Sequence, residues 1–241
     1  MNVRPSEELL HVENLRAHYG RAQVLFDVTL NVGRGEVVAL MGRNGAGKST
    51  TFKALMGHLD RIDGQISFCG QDIARLPTYK IARLGLGYVP EDRRIFTDLT
   101  VAENLIVGRR PKRPELPEWT PTELFKVFPN IAEMQNRSAT RMSGGEQQML
   151  TVARTLMGNP LLVLLDEPSE GVSPIIVERM ARMITDLKQH GIAILLSEQN
   201  LHFAQAVCDR AYVIEKGHIR FSGTMRELAN NEAVRRNYLA L

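Results

Sequence analysis

The sequence predicts an α/β fold built around a parallel sheet, and three observations indicate it. Four mostly continuous apolar runs occur at residues 36–42, 86–90, 161–167 and 192–198. Runs of this kind are typical of strands that are buried on both faces, as in a parallel sheet. Helical patterns separate several of the runs, and such alternation implies right-handed crossovers. The chain has 241 residues, which is enough for one large domain with a substantial core.

The first elements have a different pattern. Residues 9–32 alternate apolar and polar side chains, as in LFDVTLNV. Alternation of this kind predicts antiparallel strands with one solvated face. We therefore expect an antiparallel β subdomain before the parallel core. The stretch MNVRPSEE that precedes it is polar and contains acids, so we interpret it as a loose leader and not as a signal peptide.

The middle of the chain interrupts the alternation. Residues 77–141 contain helical pieces such as VAENLIVG and a proline-rich stretch at 109–121, RRPKRPELPEWTP. We predict a mainly helical subdomain at 77–141 with a solvated, basic loop at 109–121. The core is then 8–76 with 142–241, within one domain that covers 1–241. The last third ends in a predicted hairpin that turns at Lys216 and Gly217, followed by closing helices.

Composition excludes several classes of protein. The net charge of +3 suits anionic partners without singling out nucleic acid. No apolar run approaches the roughly 20 residues that span a bilayer, so any membrane role requires a partner. The two cysteines, Cys69 and Cys208, form neither a disulfide framework nor a metal-ligand spacing.

A phosphate-binding loop is predicted at residues 42–49, where GRNGAGKS fits G-x-x-x-x-G-K-[ST] between a strand and a helix. Backbone N–H groups of such a loop surround phosphate oxygens, and the helix start adds positive potential. Lys48 should reach the β- and γ-phosphates, and Ser49 should bind Mg²⁺. The candidate nucleotide-binding residues are Gly42, Arg43, Asn44, Gly45, Ala46, Gly47, Lys48, Ser49 and Thr50.

Two carboxylates follow the apolar run LLVLL. Asp166 comes at the carboxyl end of the predicted strand, where ligands of open α/β sheets gather, and it can hold Mg²⁺. Glu167 follows directly, and a carboxylate there can deprotonate an attacking water. The guanine-specifying pattern N-K-x-D does not occur in the sequence, which disfavours GTP.

A second anion-binding site is predicted at MSGGEQQML, residues 142–150. We interpret Ser143 as an N-cap, with Gln147 as its first-turn partner. Gly144 and Gly145 expose N–H groups at the helix start, and a capping serine alone would not require them. Because the first loop already surrounds one side of the triphosphate, we expect this second site to serve a nucleotide that another subunit holds.

These motifs together resemble the ATP-binding subunits of ABC transporters. The stretch Ser143–Gly144–Gly145–Glu146 is similar to the family's signature L-S-G-G-Q, and the resemblance covers nearly the whole chain. It implies a P-loop ATPase fold of ABC type, with an antiparallel β subdomain and a helical insert. It also implies that Tyr19 stacks on adenine and that the loop at 169–174 meets its counterpart across a dimer.

Two positions depart from the general family pattern. Glu91 replaces the usual glutamine of the loop that enters the helical insert, and Gln199 replaces the usual histidine after the last core strand. With the surrounding motifs, these departures resemble the second ATPase subunit of branched-chain amino-acid importers, and urea and amide importers are similar. The resemblance implies that Glu91 joins Ser49 and Asp166 near Mg²⁺, and that Lys48, Glu167 and Gln199 are catalytic.

The resemblance also implies an assembly. It consists of a heterodimer with a second, different ATPase (or a homodimer in isolation), two membrane permeases and an extracytoplasmic solute-binding protein. ATP and Mg²⁺ are the expected cofactors, and the location is the cytoplasmic face of the inner membrane. An exporter ATPase stays open, because the core motifs do not encode direction. A nucleic-acid ATPase of the same superfamily would carry coiled-coil or zinc-bearing inserts, and a non-hydrolysing subunit would not need Lys48, Asp166 and Glu167.

Overall fold

The computed structural model describes residues 8–114 and 116–239, so the predicted leader lies, except for Glu8, outside the described residues. In chain order the strands are β1 (Glu8–Tyr19), β2 (Ala22–Gly33), β3 (Val37–Met41), β4 (Arg61–Phe68), β5 (Gln71–Asp72), β6 (Leu86–Val89), β7 (Leu162–Asp166), β8 (Ala193–Glu198), β9 (Arg210–Glu215) and β10 (His218–Thr224).

The helices are α1 (Lys48–Leu55), α2 (Thr78–Leu84), α3 (Val101–Gly108), α4 (Pro121–Val127), α5 (Pro129–Glu133), α6 (Gly144–Leu156), α7 (Pro174–Gln189), α8 (Leu201–Val207), α9 (Met225–Asn230) and α10 (Glu232–Val234). A 3-10 turn at Ala139–Arg141 precedes α6, and a π-helical turn at Arg235–Leu239 follows α10.

The strands form two sheets, as predicted. The six-stranded sheet has the order β10-β9-β3-β8-β7-β6, and all its strands are parallel except β10. The four-stranded sheet has the order β2-β1-β4-β5 and is antiparallel throughout. The parallel arrangement brings the carboxyl ends of β3, β7 and β8 to one edge, where the loops that follow them lie close together.

The continuous apolar runs are explained by two cores, one on each face of the six-stranded sheet. Along β7, Leu162 and Leu164 pack toward α1 and the antiparallel sheet, whereas Val163 and Leu165 pack toward the helices α3 to α8. Because successive side chains of a strand point to opposite faces, a strand covered on both sides must be apolar throughout. Asp166 is the first charged residue of this strand, and it marks the edge where the cores end.

The boundary predicted for the helical part needs correction. Strand β6 lies inside residues 77–141, yet it pairs with β7 and belongs to the six-stranded sheet. The helical elements α3 to α5 begin only at Val101, and α3 packs on α6, which lies beyond residue 141. The apolar run at 86–90 predicts this strand, but its pairing with β7, more than 70 residues away, is what assigns it to the core sheet and not to the helical part.

The loop at 109–121 is less solvated than predicted. Trp119 is only 4% exposed, and its ring lies 5.3 Å from that of His190. The side chain of Asn159 fixes the loop from the core, since its Oδ1 accepts from Trp119 N–H at 2.8 Å and its amide donates to the Arg110 carbonyl at 2.8 Å. The basic residues Arg109, Arg110 and Lys112 are exposed, as expected.

The predicted hairpin is confirmed, with β9 and β10 joined at Lys216 and Gly217, both at positive φ. The hairpin turn also supports the phosphate loop. Gly217 donates its N–H to the Ala46 carbonyl at 2.8 Å and accepts from Phe26 N–H at 2.9 Å.

Within the described parts of the chain, no helix has the length and apolar character needed to cross a bilayer.

Candidate nucleotide site

The phosphate loop connects β3 to α1 at the edge where the parallel strands end. Helix α1 starts at Lys48, directly after Gly47, whose φ of 116° lies in the left-handed region. A Cβ atom on Gly47 would come within 2.9 Å of a Leu25 methyl group, so only glycine fits there. The first turn of α1 contains no acidic residue. The helix start therefore presents N–H groups and positive potential, as an anion requires.

A cavity of about 250 Å³ opens in front of this loop. The side chains and backbone that line it are those of Val24, Gly45, Gly47, Lys48, Ser49, Thr50 and Glu167. Several of the predicted nucleotide-binding residues are thus together, while Arg43 and Asn44 are exposed and do not line this cavity, and Gly42 and Ala46 are buried. The individual roles of these residues stay predictions.

Lys48 lies within the loop and is only 3% exposed. Its Nζ donates to the carbonyls of Gly42 at 2.7 Å and Arg43 at 3.0 Å, and it forms an ion pair with Glu167 Oε1 at 3.0 Å. A buried charge that lacks a partner is strongly unfavourable, and Glu167 supplies the counter-charge of the Lys48 ammonium group. An incoming anion can replace Glu167 as that partner.

Asp166, at the end of β7, accepts three hydroxyl groups. Its Oδ1 accepts from Ser49 Oγ at 3.0 Å and from Ser197 Oγ at 2.7 Å. Its Oδ2 accepts from Tyr88 Oη at 3.1 Å. Burial and the neighbouring charge of Asp166 raise the pKa of Tyr88, so the phenol stays protonated and remains a donor. The two residues that the sequence pairs as Mg²⁺ ligands, Ser49 and Asp166, are therefore in contact.

A second cavity of about 230 Å³ contains the three predicted metal ligands, Ser49, Glu91 and Asp166. Within residues 8–114 and 116–239, no group of three or more His, Cys, Asp or Glu side chains that could hold a metal ion occurs. Mg²⁺ usually takes only one or two carboxylates and completes its shell with waters and substrate phosphates. The oxygen donors present fit a magnesium ion that is held jointly with a nucleotide.

Glu167 is 7% exposed and has a positive φ of 46°, which turns its side chain away from Asp166 and toward Lys48. Its N–H donates to the carbonyl and the hydroxyl of Ser197, at 3.2 and 3.0 Å. Glu170, in the following turn, has its pKa raised to about 7, chiefly by a hydrogen bond with the Glu167 side chain and then by burial. The candidate base therefore has a cation on one side and a protonatable carboxyl on the other.

Gln199 is half-buried directly after β8, and its backbone N–H donates to Glu198 Oε2 at 3.1 Å. In the described structure it lines neither of the two cavities. Its predicted contact with a phosphate therefore stays a prediction.

Tyr19 lies at the turn between β1 and β2 and is 46% exposed, so its ring is accessible to a stacking partner.

The helix start predicted to bind an anion begins as expected, with Ser143 as N-cap of α6. The prediction that Gln147 is the first-turn partner of Ser143 is wrong. Glu146 accepts from Ser143 N–H at 2.7 Å, and Ser143 Oγ accepts from Glu146 N–H at 3.4 Å, which forms a capping box. The amide of Gln147 instead donates to the Met142 carbonyl at 3.2 Å. The third residue after the N-cap, here Glu146, has the geometry to reach back to the cap, and the fourth, here Gln147, does not.

The glycines after Ser143 have a packing role that the sequence did not indicate. A Cβ atom on Gly144 would overlap the guanidinium group of Arg93, and one on Gly145 would come within 2.8 Å of Ile176 Cγ1 on α7. Close approach of Ile176 therefore requires a glycine at residue 145, whereas the end of the flexible Arg93 side chain can move away from a side chain at residue 144. This requirement is compatible with exposed N–H groups, but it removes the argument that only an anion explains the glycines.

Sequence reasoning missed four polar residues that support the site. Ser197 joins Asp166 to the backbone of Glu167, and Tyr88 holds the other oxygen of Asp166. Glu198 is 2% exposed and accepts three N–H groups, from Ser169, Gln199 and Asn200; burial raises its pKa and these bonds oppose the shift. The fourth residue is Glu170. The signal in the sequence that could have indicated Ser197 and Glu198 is that the apolar run ILLSE ends in two polar residues.

Comparisons with known proteins identify the family. Residues 25–170 match the family described as ABC transporter. The chain is 40% identical to the high-affinity branched-chain amino acid transport ATP-binding protein BraG of Pseudomonas aeruginosa, over 96% of this chain and 99% of that protein. It is 39% identical to the lipopolysaccharide export system ATP-binding protein LptB of Haemophilus influenzae, over 96% and 97%.

Solved structures show the same fold. One, the ATP-binding subunit of an ABC transporter, is 30% identical with a TM-score of 0.80, and the match covers 96% of both chains. Another, the ADP conformation of an ATP-binding cassette of an ABC transporter, is 26% identical with a TM-score of 0.79 and covers 95% of this chain and 97% of that one. The predicted ABC-type fold is thus confirmed. Such ATPase subunits bind ATP, dimerise and work with membrane permeases. The chain belongs to the ABC transporter family, as an ATP-binding subunit that couples ATP hydrolysis to transport.

Proposed function

We propose that this ATPase subunit powers an importer of branched-chain amino acids. The observation that carries the proposal is the full-length similarity to BraG, a branched-chain amino acid transport ATP-binding protein. Glu91 and Gln199 support it. At these two positions the chain departs from the general family pattern and resembles the second ATPase subunit of such importers.

ATP binding in this proposal begins with the exchange of one partner of Lys48. The β- and γ-phosphates replace Glu167 as the counter-charge of Nζ, and the N–H groups at the start of α1 take the remaining phosphate oxygens. Ser49, Asp166 and Glu91 would hold Mg²⁺, which would neutralise charge on the phosphate oxygens. The Glu167 carboxylate, now released from Lys48, accepts a proton from the water that attacks the γ-phosphate.

Gln199 positions a phosphate oxygen in this scheme. Its amide can donate a hydrogen bond but cannot titrate, so the proton of the attacking water goes to Glu167. Glu198 supports the turn that carries Gln199, because it accepts the N–H groups of Gln199 and Asn200.

The other half of each ATP site comes from a partner chain. Ser143, Gly144, Gly145 and Glu146 form the signature that contacts the nucleotide of the opposite subunit, while Tyr19 stacks on the adenine of its own. Ser143 is exposed at the start of α6, which leaves it accessible to that partner. We propose a heterodimer with a different ATPase, two permeases and an extracytoplasmic solute-binding protein, located at the cytoplasmic face of the inner membrane.

The test is transport by the assembled complex. The subunit is co-purified with its permeases and partner ATPase, placed in proteoliposomes with ATP on the ATPase side, and supplied with a solute-binding protein and labelled leucine. We expect uptake that a Lys48→Ala complex does not support. Solute-independent ATP hydrolysis without any leucine uptake would contradict the proposal.

A second candidate function, lipopolysaccharide export, is supported by one specific observation: the chain is 39% identical to LptB over 96% of its length. The two functions differ in their membrane partners. Identification of the permeases that co-purify with the chain separates them, and ATP-dependent release of lipopolysaccharide from proteoliposomes in place of leucine uptake would favour export.

A further inference from the structure

Tyr88 connects two regions of the molecule that the mechanism above treats separately. It lies on β6, half-buried, and lines the cavity that contains Ser49, Glu91 and Asp166. The same residue lines a larger groove on the other side, together with His58, Phe96 and Arg154. Its hydroxyl donates to Asp166 Oδ2 at 3.1 Å, so the ring forms a wall between groove and metal cavity and its polar end enters the latter.

The ring is held by aromatic neighbours on both sides. Phe52 of α1 meets it edge to face, with ring centroids 6.5 Å apart and planes at 87°. His58 lies 6.0 Å away at 65°. Because these contacts fix the ring, the hydroxyl has a defined position relative to Asp166, which is the condition for a supporting residue to orient a ligand.

The three hydrogen bonds to Asp166 are not equivalent once a metal binds. In the proposed site Ser49 would turn to the metal, and its bond to Oδ1 would be lost. Ser197 still holds Oδ1, whereas Tyr88 is the donor that the described residues supply to Oδ2. Loss of the Tyr88 hydroxyl would leave the carboxylate restrained at one oxygen and free to rotate.

We propose that Tyr88 is a positioning residue of the metal site, whose hydroxyl fixes the Asp166 carboxylate in the orientation that binds Mg²⁺. The inference rests on the proposed role of Asp166 as a metal ligand. Removal of an outer hydrogen-bond partner of a metal ligand typically weakens metal binding 10- to 100-fold. We expect about a 10-fold effect here, since Ser197 remains.

The experiment measures Mn²⁺ binding to the full chain in the presence of ADP, by electron paramagnetic resonance of the free ion. The test variant is Tyr88→Phe, which keeps the ring contacts and removes only the hydroxyl. Tyr79→Phe is the matched control, because Tyr79 is 57% exposed on α2. Thermal unfolding of each variant reports any loss of fold, and Asp166→Asn tests the metal site itself.

We expect Tyr88→Phe to raise the Mn²⁺ dissociation constant about 10-fold with an unchanged unfolding midpoint, and Tyr79→Phe to change neither. The Mg²⁺ concentration for half-maximal ATP turnover should rise by a similar factor, with turnover at saturating Mg²⁺ largely retained. Unchanged Mn²⁺ affinity in Tyr88→Phe, combined with weakened affinity in Asp166→Asn, overturns the inference alone. Unchanged affinity in Asp166→Asn overturns the proposed metal site. If Tyr88→Phe unfolds early, normal affinity at low temperature still refutes the positioning role.

Discussion

The two predicted anion sites of this chain are built differently. At the phosphate loop, Lys48, Asp166 and Glu167 are at most 7% exposed, and each has polar partners within the same chain. At the start of α6, Ser143 is exposed, and within the described residues its side chain takes part in a capping box with Glu146. The polar groups of the first site thus hold one another across several elements, whereas those of the second cap their own helix.

This difference has an energetic meaning. Truncation of a buried, paired charge leaves the other charge uncompensated, and such changes have large effects even in an isolated chain. Truncation of an exposed N-cap costs about 1 kcal/mol of stability. If the sites have the proposed functions, substitutions at the first site should act in every assay, and those at the second should act strongly only in the assembled complex.

The largest effect is expected at Glu167. If Glu167 is the general base, Glu167→Gln should reduce ATP turnover by about 10²–10⁴-fold while ATP still binds, so that ATP-bound dimers accumulate. Steady-state hydrolysis and size-exclusion chromatography with ATP measure both effects. Glu178→Gln on the exposed face of α7 is the control. Turnover within a few-fold of wild type would remove Glu167 from this role.

Gln199 should have the next largest effect. If its amide donates to a charged phosphate oxygen, Gln199→Ala removes about 1.5–3 kcal/mol, which reduces turnover by roughly one to two decades. Gln199→His should retain much of the activity, since imidazole also offers a donor. ATP turnover of the assembled transporter decides, and an alanine variant as fast as wild type means that Gln199 does not position a phosphate.

The two signature glycines sharpen the comparison, because one of them packs against a helix and the other against a side chain that can move. Gly145→Ala places a methyl group against Ile176 and should cost about 1–3 kcal/mol of unfolding free energy. Gly144→Ala meets only the end of the Arg93 side chain, so we expect a smaller loss. Urea unfolding of both variants gives the answer; equal stability of Gly145→Ala and wild type would exclude the packing role.

A substitution at Ser143 directly tests the hypothesis that the start of α6 contacts a nucleotide held by another subunit. Ser143→Ala should cost about 1 kcal/mol of stability through loss of the cap. If the serine also contacts the partner's nucleotide, the assembled transporter should show a further loss of about tenfold in ATP turnover. The loss should appear in the ATP site whose phosphate loop belongs to the partner chain. A purely thermal phenotype would show that Ser143 is an ordinary cap.

The smallest effect is a pH dependence at Glu170. Its pKa is raised from 4.5 to about 7 by the hydrogen bond with Glu167, burial and the charges of Glu167 and Glu91, against Lys48. Between these values the unfolded chain has released a proton that the native chain retains, so the free energy of unfolding falls as pH rises from 4.5 to 7 and is level above. Exposure of the side chain keeps this contribution small. Urea unfolding across this range should show a flatter profile for Glu170→Gln; identical slopes would contradict the assignment.

The sequence by itself determined the α/β fold, the phosphate loop and the N-cap at Ser143. Each follows from local physics: apolar runs identify strands buried on both faces, and glycine spacing before a lysine and a serine identifies a loop whose N–H groups converge. These signals lie within a few consecutive residues, so no knowledge of distant parts of the chain is needed to interpret them.

Only the tertiary structure decided which distant residues complete the site. Ser197 meets Asp166 because β8 pairs with β7 in a parallel register, and Tyr88 reaches the same carboxylate from β6 on the other side. Trp119 is buried and Gly145 is required for the same reason, since Asn159 and Ile176 approach them from other elements. Such contacts depend on strand order and helix packing. These are set by the folding of the whole chain and cannot be read from short stretches of one sequence.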